Sequence, residues 1–313
     1  MEETLVPLND GATPIMTSES RSNSFGSDKD FKLQEEGKED TLEYRVHAKD
    51  VENNKTISLW HDISLSHIDA DTGEKTEYYN FVCEIPKFTR KKYEIATDEE
   101  FTPIKQDTKK GKLREFKKGD IFFNYGCFPQ TWEDPTFIHP DAEGCRGDND
   151  PLDVCEIGAR IVGCGGVRPV KVLGILMMID EGEADWKLIT IDKDDKWAPF
   201  INNINDVEEQ LPGLLDAIRE WYRTYKIPDG KPPNVFGLDE KFMDKDYAFE
   251  IMEECNHAWK ELVSGEKMRK MADEGEEVKK LVRKLSRNSL SILASNVEEP
   301  HFPEEEDMEA LTF

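Results

Sequence analysis

Gly147-Asp148-Asn149-Asp150-Pro151-Leu152-Asp153 sets three carboxylates within six residues and runs straight into the strand-like segment Val154-Cys155-Glu156-Ile157-Gly158. Two unit charges about 4 Å apart repel by roughly 4 kcal/mol at an effective dielectric near 20. A surface loop relieves this by turning its acids to water, but Val154, Cys155 and Ile157 pull this segment inward. Acids that converge there need a positive partner, and hard divalent cations with oxygen ligands supply one. In an extended segment, side chains at i and i+2 share a face, so Asp148 and Asp150 point the same way. Pro151 breaks the strand pattern and allows a turn that returns Asp153 to the other two. An EF-hand loop requires Gly at its sixth position and Glu at its twelfth. Counted from Asp148, those places hold Asp153 and Ala159, so that motif does not fit. The plain alternative is an acidic turn that caps a strand and binds nothing.

Further groups fit the same chemistry. In Ile179-Asp180-Glu181-Gly182-Glu183-Ala184-Asp185-Trp186-Lys187, apolar strands flank a glycine turn, which predicts a hairpin with Asp180 and Asp185 at its mouth. Lys187 shares the face of Asp185, and Lys92 shares the face of Glu94. Residues 108–114 are a basic run, ending at Arg114, in an acidic chain. Residues 123–135 are rich in aromatics that belong mostly to a core, with Tyr125 able to offer its hydroxyl to a ligand, as can Tyr225-Lys226. Acids for hard cations mixed with Lys, Arg and Tyr suit phosphoryl transfer to water. The metals bind phosphate oxygens and lower the pKa of a water, while basic groups neutralise the leaving phosphate. Magnesium shares itself between carboxylates, waters and phosphates. No G-x-x-x-x-G-K-[ST] is present, which argues against a P-loop NTPase.

The elements that must position these groups follow from the rest of the chain. It has 313 residues, 37% hydrophobic, with a formal net charge of −26, which opposes general nucleic-acid binding. Six cysteines form no C-x-x-C pair and six histidines show no ligand spacing, so the thiols read as reduced and a zinc site is not expected. No run is long and apolar enough for a membrane span, and no direct nucleic-acid contact is expected. The N-terminus lacks a signal-peptide core and is acidic, unlike a mitochondrial presequence, so the cytoplasm, with the nucleus also open, is the expected location. Residues 1–40 are polar, acidic and Ser-rich, and read as a disordered extension. Order is expected from about Thr41, with short strands to Asp192 including segments 57–60, 79–85, 93–95 and 170–179. Such strands favour a closed barrel, and the absence of alternating helices excludes α/β. Helices are expected at 212–225 and 246–264, packed on the barrel, with Gly265 as a stop. Residues 266–313 form a charged tail, partly helical through an amphipathic pattern at 268–293. Arg21 before Ser24 and Arg283 before Ser286 are short phosphorylation-like patterns.

Segment 147–158 resembles the signature of soluble family I inorganic pyrophosphatases. Glu84-Ile85-Pro86, Lys92-Tyr93-Glu94-Ile95, and residues 106–114, 124–135, 180–187 and 225–232 are similar, in order and spacing, to the eukaryotic branch. The resemblance covers residues 41–265, the expected catalytic domain. It implies a mainly β (α+β) fold, an OB-like closed β-barrel with flanking α-helices. It also implies a homodimer and hydrolysis of pyrophosphate to two phosphates with three or four Mg²⁺. By the same resemblance, Asp148, Asp153 and Asp185 ligate the tight metal and Asp153 also the second. Asp180 and Asp185 take a metal arriving with substrate, and Glu94 helps with the fourth. Asp150 is the general base. Lys92, Arg114, Tyr125, Lys187, Tyr225 and Lys226 contact phosphate, and Glu84 supports the ligands. The chain departs from the pattern at residues 115–123, which are shorter and lack a Tyr, and at Lys87 and Phe88, where Arg and Trp are common near the dimer contact. Two other readings compete: a non-catalytic acidic cation-binding module, for which Lys92, Arg114 and Lys226 have no use, and an OB-fold interaction protein binding nucleic acid, which the net charge opposes.

Overall fold

The computed structural model describes residues 30–267. Ser24, Ser286 and the amphipathic pattern at 268–293 lie outside the described residues. Five strands pair around a ring. Lys75–Ile85 pairs with Asn124–Cys127, which pairs with Asp153–Glu156, both antiparallel. Asp153–Glu156 runs parallel to Glu183–Asp192, and that strand pairs antiparallel with Val167–Asp180. Val167–Asp180 returns to Lys75–Ile85 and closes the ring. Closure gives each of these strands a partner on both sides over part of its length. The mainly β, OB-like barrel expected from the sequence is therefore the observed architecture. A second sheet lies beside it, in the order Phe31–Glu36, Arg45–Asp50, Ile104–Gln106, Tyr93–Ile95.

Val167–Asp180 shows why its sequence reads as a continuous apolar run. Ile175 and Met177 enter one hydrophobic cluster, while Leu176 and Met178 enter another. A strand buried on both faces needs apolar residues at every position. Helix α1 (Ile204–Gln210) and helix α2 (Leu214–Thr224) cover the face of Leu176, with Ile204, Val207, Ile218 and Trp221 in the shared cluster. Helix α3 (Lys245–Val263) covers the other through Ile251, Met252 and Cys255. Asp244 caps α3 by accepting from the Tyr247 N–H at 3.1 Å. The two long helices fall where the apolar spacing places them, within one or two residues. Helix α1 was not expected; its 7 residues are too short for a periodic signal, although Asn203 caps it by accepting from Ile204 N–H at 2.6 Å.

Two expectations need correction. The segment 57–60 is a strand only at Thr56–Ile57. Ser58 Oγ accepts from the N–H groups of Trp60 and His61 at 3.2 and 3.0 Å, and this local turn competes with the ladder. Order also begins before residue 41. Phe31–Glu36 pairs with Arg45–Asp50 along its whole length, and Phe31 is fully buried. Phe31 and Leu33 sit at i and i+2 and turn one face of this polar strand to the core, too short a signal within an acidic stretch. Because Phe31 fills a core position, Phe31→Ala is expected to lower stability by about 3–5 kcal/mol. Urea unfolding of the full chain measures it, and a loss below about 1 kcal/mol would show that this strand is only an appendage.

Candidate active site

The acids come together through strand register. Glu181 and Gly182 form the two-residue turn of the expected hairpin, both at positive φ (52° and 96°), matching the twist that hairpins favour. Asp180 then pairs with Glu183, and Met178 with Asp185. Asp185 and Lys187 project to one face, while Ala184 and Trp186 line a separate cavity behind. On its other edge, strand Glu183–Asp192 carries two short parallel partners. Arg146–Gly147 pairs at Glu183 and Ala184, and Asp153–Glu156 pairs from Lys187 onward. Residues 148–152 bridge the gap between these pairings, so Asp148, Asp150 and Asp153 arrive beside Asp185.

That bridge is held at its backbone. Glu133 N–H donates to the Asp150 carbonyl and its own carbonyl accepts from Asn149 N–H, both at 2.9 Å. Trp132 Nε1 donates to Asn149 Oδ1 at 3.2 Å. Asn149 adopts φ 76°, a left-handed conformation that Asn tolerates better than most residues. Asp148 Oδ1 accepts from Asp150 N–H at 3.0 Å, a local turn that fixes both acids. The turn expected at Pro151 thus lies earlier, at Asn149.

Among the described residues, carboxylate oxygens of Asp148, Asp153 and Asp185 gather within 4.8 Å of one another. This all-oxygen donor set suits a hard divalent ion. Lys187, 2% exposed, contacts both Asp153 and Asp185. Its Nζ lies 3.5 Å from Tyr125 Oη and 5.5 Å from that ring's centroid. Across a cleft of about 200 Å³, Lys92 pairs with Glu94 at 2.8 Å and with Asp107 at 3.3 Å. Glu84 is buried beneath and accepts from Ile95 N–H at 2.7 Å. At the hairpin tip, Tyr225 Oη donates to Asp180 at 3.3 Å and Lys226 pairs with Asp180. Asp148, Asp150, Asp153, Asp180, Asp185, Glu94, Lys92, Tyr125, Lys187 and Tyr225 all line the cleft. Arg114 and Lys226 stand outside its lining, Arg114 drawn onto Asp107. Phe116 and Ile121 close the wall where the sequence is short, and Phe116 packs edge-on against Trp221 at 5.0 Å.

The electrostatics are those of acids without their counter-ions. Burial first, then Asp150 and Asp153, raise the Asp148 pKa well above the carboxylate range. Asp185 is raised by burial, despite Lys187, and by Asp153. Asp150 is pushed up to about 8 by desolvation and then by Glu94. Glu84 also rises to about 8, through burial and then Asp153. Lys187 is raised although burial opposes its charge, because Asp153 and Asp185 outweigh it. Two participants escaped sequence reasoning. Asp107 organises Lys92 and Arg114 from within a motif read only for its basic residues. Glu133 sits in an aromatic run read as core.

A closed β-barrel with a convergent acid cluster, faced by lysines and tyrosines, defines a divalent-metal protein built to handle phosphate. Comparison with known proteins is specific. A family model described as inorganic pyrophosphatase matches residues 81–260. A soluble inorganic pyrophosphatase of Arabidopsis thaliana, described as chloroplastic, is 52% identical over 232 residues, 74% of each chain. The inorganic pyrophosphatase of Schizosaccharomyces pombe is 48% identical over 240 residues, 75% of this chain and 80% of its own. A recombinant inorganic pyrophosphatase from Trypanosoma brucei brucei superposes with a TM-score of 0.72 at 44% identity, covering 77% of this chain and 72% of the other. A truncated vacuolar soluble pyrophosphatase of Trypanosoma cruzi, in complex with PPi, gives 0.69 at 40%, covering 83% and 98%. The chain belongs to the inorganic pyrophosphatase family.

A carboxylate whose pKa is higher in the folded chain makes that chain the better proton binder. These acids therefore weaken the metal-free fold as pH rises from about 4, the unfolded value, toward the value of about 8 at Asp150. A divalent ion offsets the repulsion only where the acids are ionised. The rise in Tm on adding Mg²⁺ is expected to grow from about pH 5 to about pH 8 in scanning calorimetry. A rise that shrinks over this range would contradict the electrostatic account.

Proposed function

We propose that this chain hydrolyses inorganic pyrophosphate to two phosphates, with Mg²⁺ as cofactor and three or four ions per site. The observation that carries the reading is the cluster of Asp148, Asp153 and Asp185 oxygens within 4.8 Å, facing Lys92, Lys187, Tyr125 and Tyr225 across one cleft. Asp148, Asp153 and Asp185 would hold the tight ion, Asp153 also the second, Asp180 and Asp185 one that comes with substrate, and Glu94 would help with the fourth. Bound there, such ions supply Lewis acidity to phosphate oxygens and lower the pKa of a water. Asp150 orients the attacking water and accepts its proton. As oxygen bonds to one phosphorus, the bond from that phosphorus to the bridging oxygen breaks. The charge left on the departing phosphate is met by Lys92, Arg114, Lys187 and Lys226 and by the Tyr125 and Tyr225 hydroxyls. Arg114 must release Asp107 to take part. Family membership favours hydrolysis over a passive cation-binding module or a nucleic-acid binder.

Phe88 is 61% exposed and Ile161 58%. Asn124 Oδ1 accepts from the N–H groups of Lys87 and Val162, their chain neighbours, both at 3.1 Å. Exposed large apolar side chains of this kind support the homodimer reading. The expected location remains the cytoplasm; among the described residues no helix is long and apolar enough to cross a membrane.

Purified protein is expected to release phosphate from pyrophosphate only with Mg²⁺ present, and no release at millimolar Mg²⁺ would sink the proposal. Ca²⁺, larger and looser in geometry, should bind the acids and inhibit. Asp150→Asn is expected to cut the rate by on the order of 10² or more at saturating metal. Asp153→Asn should instead raise the Mg²⁺ needed, and excess metal should restore much of its rate. Rate-against-Mg²⁺ curves beside calorimetric metal titrations separate the two roles. Rescue of Asp150→Asn by excess metal, without rescue of Asp153→Asn, would reverse them.

A further inference from the structure

Glu133 holds an unusual position. Strand Glu183–Asp192 has no strand partner at Asp185 and Trp186 on the edge shared by Arg146–Gly147 and Asp153–Glu156. The Glu133 side chain fills that gap, with Oε2 accepting from Trp186 N–H at 3.4 Å. Its backbone clasps Asn149 and Asp150. The residue is 3% exposed, and its second oxygen, Oε1, has no hydrogen-bond partner.

A buried carboxylate oxygen left unpaired is unfavourable unless something beyond the protein's own atoms completes it. The groups acting on Glu133 say what that is. After burial, the charges of Asp148, Asp185 and Asp153 dominate its surroundings. These are the three members of the ligand cluster, yet Glu133 is not among the oxygens that meet within 4.8 Å. Its backbone bonds to Asn149 and Asp150 and its side-chain bond to the Trp186 N–H tie it to near chain neighbours of that cluster's members. A fourth carboxylate in direct contact would only add repulsion. At one water's remove it accepts a hydrogen bond from a donor that the metal has made more acidic.

Resting on the metal-dependent reading above, we propose that Glu133 is a positioning residue for the tight metal. Its unpaired Oε1 accepts from a water on the ion held by Asp148, Asp153 and Asp185, while its backbone holds the loop that carries two of the site's acids. The side chain and the backbone thus register the ion and the loop against each other. Nothing in the spacing of the sequence marks this residue, because its role depends on a gap in a ladder formed far away in the chain.

The test is isosteric. Glu133→Gln keeps the shape, the backbone clasp and an oxygen, but removes the charge that makes the hydrogen bond strong. Calorimetric titration of the full chain with Mg²⁺ is expected to show tight-site affinity about 10- to 100-fold weaker than wild type. The metal-free Tm should stay level or rise, since one of four crowded acids is neutralised, and the Tm gain on adding Mg²⁺ should shrink. Affinity within about twofold of wild type would overturn the assignment. A lower metal-free Tm with unchanged affinity would show a structural role only, and also overturns it. If Glu133→Gln does not fold, Glu133→Asp keeps the charge and withdraws the oxygen by one methylene. Weakened Mg²⁺ binding there supports the role, and unchanged binding refutes it. If wild type itself takes up no Mg²⁺, the metal-dependent reading fails, which is a distinct result.

Discussion

The register of the hairpin formed by Val167–Asp180 and Glu183–Asp192 is the constraint on which the cleft depends. Side chains alternate faces along a strand, so a slip of one residue would send Asp185 and Lys187 to the back and bring Ala184 and Trp186 forward. The slip is opposed by burial on both faces of Val167–Asp180 and by the tight turn at Glu181 and Gly182. The same strand, Glu183–Asp192, is the ruler for its parallel neighbours. Asp153 lies opposite Lys187 because the register puts it there.

A second anchor works from the far end of Asp153–Glu156. Glu156, fully buried, accepts from Gly158 N–H at 2.6 Å, Asp192 N–H at 3.0 Å and the Asn124 side chain at 2.6 Å. A Cβ on Gly158 would sit 2.4 Å from the Glu156 carboxylate, so a larger residue there would have to push that carboxylate aside. Asp192 in turn pairs with Arg168 at 2.9 Å, both buried. One short strand therefore has a cleft-lining acid at one end and a hydrogen-bonded structural acid at the other.

Much of this was legible in the sequence, for identifiable reasons. The acid spacing at 148–153, the glycine turn after Asp180 and the period of α2 and α3 are local signals, and local signals survive in a linear reading. The resemblance supplied the remaining cleft residues, and most of them line one cavity. What escaped depends on contacts between distant segments. Glu133 is defined by a gap in a sheet, Asp107 by the two cations it holds, and Phe31 by a partner strand that a polar composition conceals. The location of the turn at Asn149 rather than Pro151 depends on Trp132 and Glu133, which sequence spacing could not bring near.

Lys187 leads beyond the catalytic cleft. Its ammonium, almost wholly buried, rests between Asp153 and Asp185 with no ion present. It acts as a tethered counter-ion that the polypeptide carries with it. Strand Glu183–Asp192 thus carries one of the crowded acids together with the cation that tempers it, so a change at Lys187 is felt by the packing of the barrel as well as by the cleft.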